Sequence, residues 1–240
     1  MDITLKLALL DQIYSLFDEF ARLKNVACKR QCATCCTCNM TLTTLEGYKI
    51  ISLLDARVKS SLVQHVLDAA DQMHFKPQIT TNQMAQFCMT GQDIPEETID
   101  PAWGVCPLLS EKECAVYQLR PFGCRCMMSR TNCADTGYAD IDEFTLTVAN
   151  LFNQVIEHLD QDGMTGNLID VLTFLDDDKN LMAYQSEPMD IKAKGLIPNI
   201  PIPVLMIPPE HRKRIEPLLD PLKKVLQDYG NLRSTQKDGG

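Results

Sequence analysis

The sequence predicts a mainly α protein with a small β-hairpin, built as an irregular cysteine-rich metal-binding core packed by helices. Three observations carry this. Apolar residues recur at helical spacing over several separate stretches. One short stretch around residues 105–117 reads as two strands about a turn. Five thiols crowd the stretch Cys28-Lys-Arg-Gln-Cys32-Ala-Thr-Cys35-Cys36-Thr-Cys38, and a second group answers them between Cys106 and Cys133.

In chain order, Ile3, Leu7, Leu10, Tyr14, Phe17 and Ala21 step by four and three, one face of an amphipathic helix that leads toward Cys28. Cys28, Cys32 and Cys35 also share a helical spacing. A continuous helix would spread them over about 10.5 Å, too far for sulfurs that sit about 2.3 Å from one zinc. The helix is therefore expected to stop near Cys28–Cys32 and the chain to wrap. Thr43 with Glu46 three residues on is a capping box, opening one long helix or two with a break near Ser60-Ser61. His65 and His74, on or near it, read as satisfied surface or core residues.

Residues 82–89 suggest a short helix before a loop with Gly91, Pro95 and Pro101, and Cys88 reads as a buried thiol. Strands at 105–109 and 114–117 flank a turn at 110–113, and Arg120-Pro121 makes a tight return to Cys124. Residues 144–159 and 167–175 read as helices, with Asp176-Asp177-Asp178 a solvated helix end. Five prolines between 198 and 209 make an extended connector. A last helix follows at about 210–229, and then a loose tail. Residues 1–180 thus form a cysteine-cluster metal-binding domain, and 181–240 a proline-rich connector and C-terminal helix.

The 240 residues are 45% hydrophobic and 23% charged, a composition able to bury a sizeable core. A net charge of −9 disfavours nucleic acid as a partner, since that affinity comes mainly from neutralised phosphates. No stretch approaches the roughly 20 apolar residues of a membrane span. Asp2 and Asp11 break any secretory pattern at the start, so a cytoplasmic location is expected. Reduced thiols are the rule there, and an odd count of 11 cysteines fits a disulfide framework badly. Thiolates at short spacing hold soft metal well, either zinc or iron, the latter including a [4Fe-4S] cluster. The expected partner is therefore a metal ion. A protein partner is left open.

Cys28-x₃-Cys32-x₂-Cys35-Cys36, then Cys106-Pro-Leu, then Cys114-x-Val-Tyr117-x-x-Arg120-Pro121-x-x-Cys124-Arg125 resembles the YkgJ-type CxxCxxCC family. Its members are regarded as zinc- or iron-chelating cysteine-cluster domains. The likeness spans residues 28–133, and the second half is the more specific. The first gap departs from the family, being three residues rather than two. The resemblance implies Cys28, Cys32, Cys35, Cys36, Cys106, Cys114 and Cys124 as ligands. Cys126 is taken as the eighth, with Cys133 and Cys38 competing for that place.

Arg120 and Arg125, beside Cys124, are placed to offset the charge of a thiolate site and to donate to its sulfurs. No histidine lies close to either run, which favours an all-sulfur site. A closed site of that kind argues against hydrolysis, because catalytic zinc keeps a position open for water. Three rival readings remain. One is an iron–sulfur electron carrier or redox sensor, and another an interaction module stapled by the metal. The third is a radical-SAM enzyme, whose cysteine spacing matches but whose alternating strands and helices do not.

Overall fold

Asp2 starts the first helix of the computed structural model, which describes residues 2–186 and 193–237. Its carboxylate accepts from Thr4 N at 2.9 Å and caps α1 (Ile3–Arg22). Of the predicted face, Leu10, Tyr14 and Phe17 are buried and Ile3, Leu7 and Ala21 half-buried, while Ile13, outside that pattern, is buried with them. The helix stops at Arg22, so Cys28 is reached through irregular chain rather than from a helix end.

β1 (Thr41–Thr43) runs straight into α2 (Thr44–Leu53), and the capping box of Thr43 and Glu46 forms. The expected break at Ser60-Ser61 falls instead at Leu54-Asp55. Asp55 accepts from Arg57 N at 2.9 Å and starts α3 (Ala56–Ala69). A helix interior tolerates serine, whereas an N-cap aspartate satisfies an otherwise orphaned N–H, and the cap decides the boundary. α4 (Thr81–Thr90) opens on a second capping box, Thr80 with Gln83, and closes on left-handed Gly91. Its buried residues are Asn82 and Ala85. Cys88 lies off that face and is exposed, which corrects the expectation of a buried thiol.

The predicted hairpin is present but shorter. β2 (Leu109–Ser110) pairs with β3 (Glu113–Cys114), and Glu111 and Lys112 at the tip have φ of 49° and 64°. Positive φ at both tip residues is the mark of a twist-matched two-residue turn. Val105 pairs with Thr37 as an isolated bridge, and Tyr117, the expected end of the second strand, instead opens a 3₁₀ turn over residues 117–119. Two single-turn helices follow, α5 (Phe122–Arg125) and α6 (Cys133–Thr136). α7 (Glu143–Leu159), β4 (Met164–Asn167), α8 (Leu168–Asp176), α9 (Asp178–Ser186), β5 (Leu196–Pro198) and α10 (Arg212–Lys237) complete the order. The tail expected to be loose continues α10 as far as Lys237, and residues 238–240 lie outside the described part.

The architecture is mainly helical with few strands. Besides the hairpin, β1, β4 and β5 form an antiparallel sheet with β4 central, Leu42 opposite Gly166 and Thr165 opposite Ile197. Two apolar clusters make up the core. In one, α1, α7 and α10 surround Phe17, Phe122 and Phe152, whose rings meet at centroid separations of 4.6 to 5.8 Å. Ile215, Leu222, Val225 and Tyr229 of α10 belong to this cluster. In the other, α2, α3 and α8 bring Ile50, Val66, Ile169 and Leu172 together. Among the described residues no helix is long and apolar enough to cross a membrane.

Asp160 joins these parts. Its buried carboxylate accepts from Thr44 Oγ1 at 2.7 Å, Leu45 N at 2.9 Å and Tyr184 Oη at 2.8 Å, tying the end of α7 to the start of α2 and to α9. Burial nevertheless raises its pKa to about 6, with buried Lys6 and the hydrogen bonds opposing the shift. A carboxyl raised in the folded state favours folding while protonated, and that contribution is lost as pH climbs through the folded value. The stability of the protein relative to Asp160→Asn should thus be greatest below about pH 4, the unfolded carboxyl value, and decline toward pH 6. Urea midpoints of both proteins across that interval test this, and a pH-independent difference would reject it.

Candidate functional site

The two cysteine runs meet because their backbones are stitched together. Cys38 N donates to Gly104 O and Cys106 N to Cys36 O, both at 3.0 Å, around the Thr37–Val105 bridge. Short turns shape the first run, with Cys32 N on Lys29 O, Cys36 N on Ala33 O and Gln31 at φ 69°. In the second run, Leu109 N donates to Cys106 O while Leu109 faces Cys114 across the hairpin.

Between them lies a cavity of about 240 Å³. Cys28, Cys32, Cys35, Cys36, Cys106, Cys114 and Cys124 all line it, together with Arg120, Arg125 and the methionines 40, 127 and 128. No histidine lines it, and its one carboxylate, Asp18, is paired with Arg125 at 3.3 Å. Cys126, the expected eighth ligand, is absent from the lining. Its Sγ–H donates to Gly123 O at 3.3 Å and its side chain packs against the phenylalanine cluster. Cys38 is also turned away, buried in the second cluster with Sγ 3.6 Å from Met73 O.

Cys124 is set in place by α5, and α5 by Glu46. Glu46 Oε1 accepts from Phe122 N at 2.6 Å and from Tyr14 Oη at 2.7 Å, while Oε2 accepts from Thr43 N at 2.9 Å and Thr43 Oγ1 at 3.1 Å. One buried carboxylate thereby holds α1, α2 and the cysteine-bearing turn. Gly123 lets α5 approach β1 closely, since a Cβ there would fall 2.6 Å from Met40 Sδ and 3.3 Å from Thr41 O.

The two arginines do different work. Arg125 lies over the Tyr14 ring at 4.4 Å and donates from Nε to Arg120 O and from Nη2 to Gln118 O. With Asp18 on Nη1, its donors secure the loop rather than the sulfurs. Arg120 stacks on Tyr117 at 3.7 Å, and its buried Nε has no hydrogen-bond partner among the described residues. Its charge acts on Cys35, Cys114 and Cys124, lowering each against stronger opposing causes.

Burial governs the thiols. It pushes Cys106 up to about 11, Cys126 up to about 12 and Cys124 well above the ordinary thiol value, and it raises Cys28 and Cys114. Cys35 is raised and Cys36 lowered by the hydrogen bond between their side chains. Among the described residues, no group of three or more His, Cys, Asp or Glu side chains is already arranged so that it could hold a metal ion. The donor set itself, seven thiols without imidazole, suits a soft ion. Such an ion would require the side chains to close on it.

Comparison with known proteins gave no match to any family model, curated protein or solved structure. The likeness to the YkgJ-type family therefore rests on the quoted cysteine, arginine and proline positions alone.

Sequence reasoning missed the supporting roles of Glu46, Tyr14 and Asp18. Glu46 was legible as a capping-box member, but its second oxygen serves Phe122, far along the chain, and no spacing signals that. In Glu46→Gln, whichever way the amide turns, its NH₂ faces a backbone N–H of Phe122 or Thr43. The substitution should cost about 1–3 kcal/mol, read from denaturation midpoints. A loss under about 0.5 kcal/mol, the scale of ordinary surface changes, would show that Glu46 is not the tie described.

Proposed function

We propose that this chain is a metal-binding cysteine-cluster protein that chelates zinc or iron through thiolates from both runs. One observation carries the reading: seven cysteines from two distant stretches line a single cavity that offers no imidazole and no uncommitted carboxylate. Cysteines recruited only as small hydrophobes would fill space, as Cys38 does, rather than edge a void. The spacing that resembles the YkgJ-type family supports the same reading.

Four thiolates around a dication leave a formal charge of −2. Arg120, with its unpartnered buried donor, is the residue placed to offset that charge and to donate to a ligating sulfur. Arg125 contributes indirectly by fixing the loop that carries Arg120. Ligands supplied from both runs would make binding and folding a coupled process, as sites of this kind rarely exist ready-made. A filled all-thiolate shell leaves no coordination place for water, so the reading leans away from hydrolytic catalysis.

The deciding experiment is anaerobic purification followed by metal and acid-labile sulfide analysis. Zinc without sulfide and without colour supports a chelated ion, whereas iron with equimolar sulfide and visible absorption supports an iron–sulfur centre. Stoichiometric absence of both from a folded protein refutes the proposal. Cys32→Ser and Cys124→Ser are expected to lower the bound metal and the unfolding midpoint. Cys88→Ser, at an exposed thiol outside the cavity, should leave metal content unchanged. Metal loss in Cys88→Ser matching that in Cys124→Ser would count against the cavity as the site.

A further inference from the structure

A second cavity lies outside the cysteine site. It is an open groove of about 380 Å³ between α3 and the β2–β3 hairpin, within the range of small-ligand sites, roughly 300–1,000 Å³. Helical spacing sets its polar side. Arg57, Ser61 and His65 line it at i, i+4 and i+8 on α3, so they share one face and span about 12 Å of helix. Had α3 broken at Ser60-Ser61, that stripe would not exist. The floor is apolar, with Val58 and Leu62 from the same helix and Leu109 from the hairpin.

Charge sets this groove apart from the rest of the chain. The protein carries a net −9, yet no carboxylate lines the groove. Arg57 and His65 make no ion pair or side-chain hydrogen bond among the described residues. Asp55, the nearest carboxylate in sequence, is engaged at the start of α3, where it accepts from Arg57 N at 2.9 Å. The planar fork of an arginine matches a carboxylate through two parallel hydrogen bonds. A bare anion would leave the floor in water, where Val58 is 44% exposed. An apolar body attached to the carboxylate would cover it.

We propose that the groove between α3 and the hairpin binds a small apolar carboxylic acid in its ionised form, with the carboxylate on Arg57 and the body lying over Val58, Leu62 and Leu109 toward His65. The site is separate from the cysteine cavity and does not depend on the metal reading. The two do share a wall, since Leu108 and Leu109 line both. An occupant of the groove therefore rests against the same hairpin that carries Cys114.

Calorimetric titration of the full chain with octanoate tests this, with acetate supplying the charge without the body and octanamide the body without the charge. Octanoate is expected to saturate at one equivalent, and acetate and octanamide to bind about tenfold more weakly or worse. Arg57→Gln should weaken octanoate by about tenfold or more. Ser61→Trp, which fills the groove from an exposed helical position, should abolish binding. Circular dichroism records that both variants stay folded, and where one does not, the other still reads the site. Failure of octanoate to saturate, equal affinity for octanamide, or unchanged affinity in either folded variant overturns the proposal. None of these readouts depends on bound metal, so this proposal and the metal reading fail separately.

Discussion

The pairing of residues 36–38 with residues 104–106 is the constraint on which the rest depends. Two hydrogen bonds and one bridge bring together stretches separated by α2, α3 and α4, and the cysteine cavity exists because of them. The intervening helices are free to build their own apolar cluster. The closure of so long a loop is a modest entropic cost once made, because that cost grows only logarithmically with length.

Buried carboxylates recur as junctions in this acidic protein. Glu46 binds the cysteine-bearing turn to α1 and α2, and Asp160 binds the end of α7 to α2 and α9. Glu157 does the same for α4 and the proline connector, accepting from Thr80 Oγ1 at 2.6 Å, Asn82 N at 2.8 Å and Ile200 N at 3.2 Å. Each carboxylate satisfies donors from segments that share no periodic pattern. An apolar core sets which faces meet, and these acceptors fix the register in which they do.

What the sequence made visible is local. Helical spacing located α1, α7 and α8, and the Thr43–Glu46 box located α2, because both signals are contained within one turn or a few. The three-stranded sheet was hidden, since Met164–Asn167 is a four-residue strand with a glycine in it and β5 is three residues ending at the first proline of the connector. α9 carries little apolar patterning, with Tyr184 its one buried residue. At the candidate site, the thiols announced themselves by density. Which of them face a common cavity did not follow from spacing, because the turn of Cys126 toward Gly123 O is a matter of one short helix.

The tight turn that carries Cys35 and Cys36 has a further consequence. Neighbouring residues in an extended chain ordinarily send their side chains to opposite sides, whereas the bend made by Cys36 N on Ala33 O and Thr37 N on Cys35 O lets both thiols line one cavity. That bend makes the pair a pincer for thiophilic reagents that demand two adjacent sulfurs, trivalent arsenicals being the familiar class. A reagent of that kind would close a ring on the backbone itself, and would lock the loop in the shape it already has.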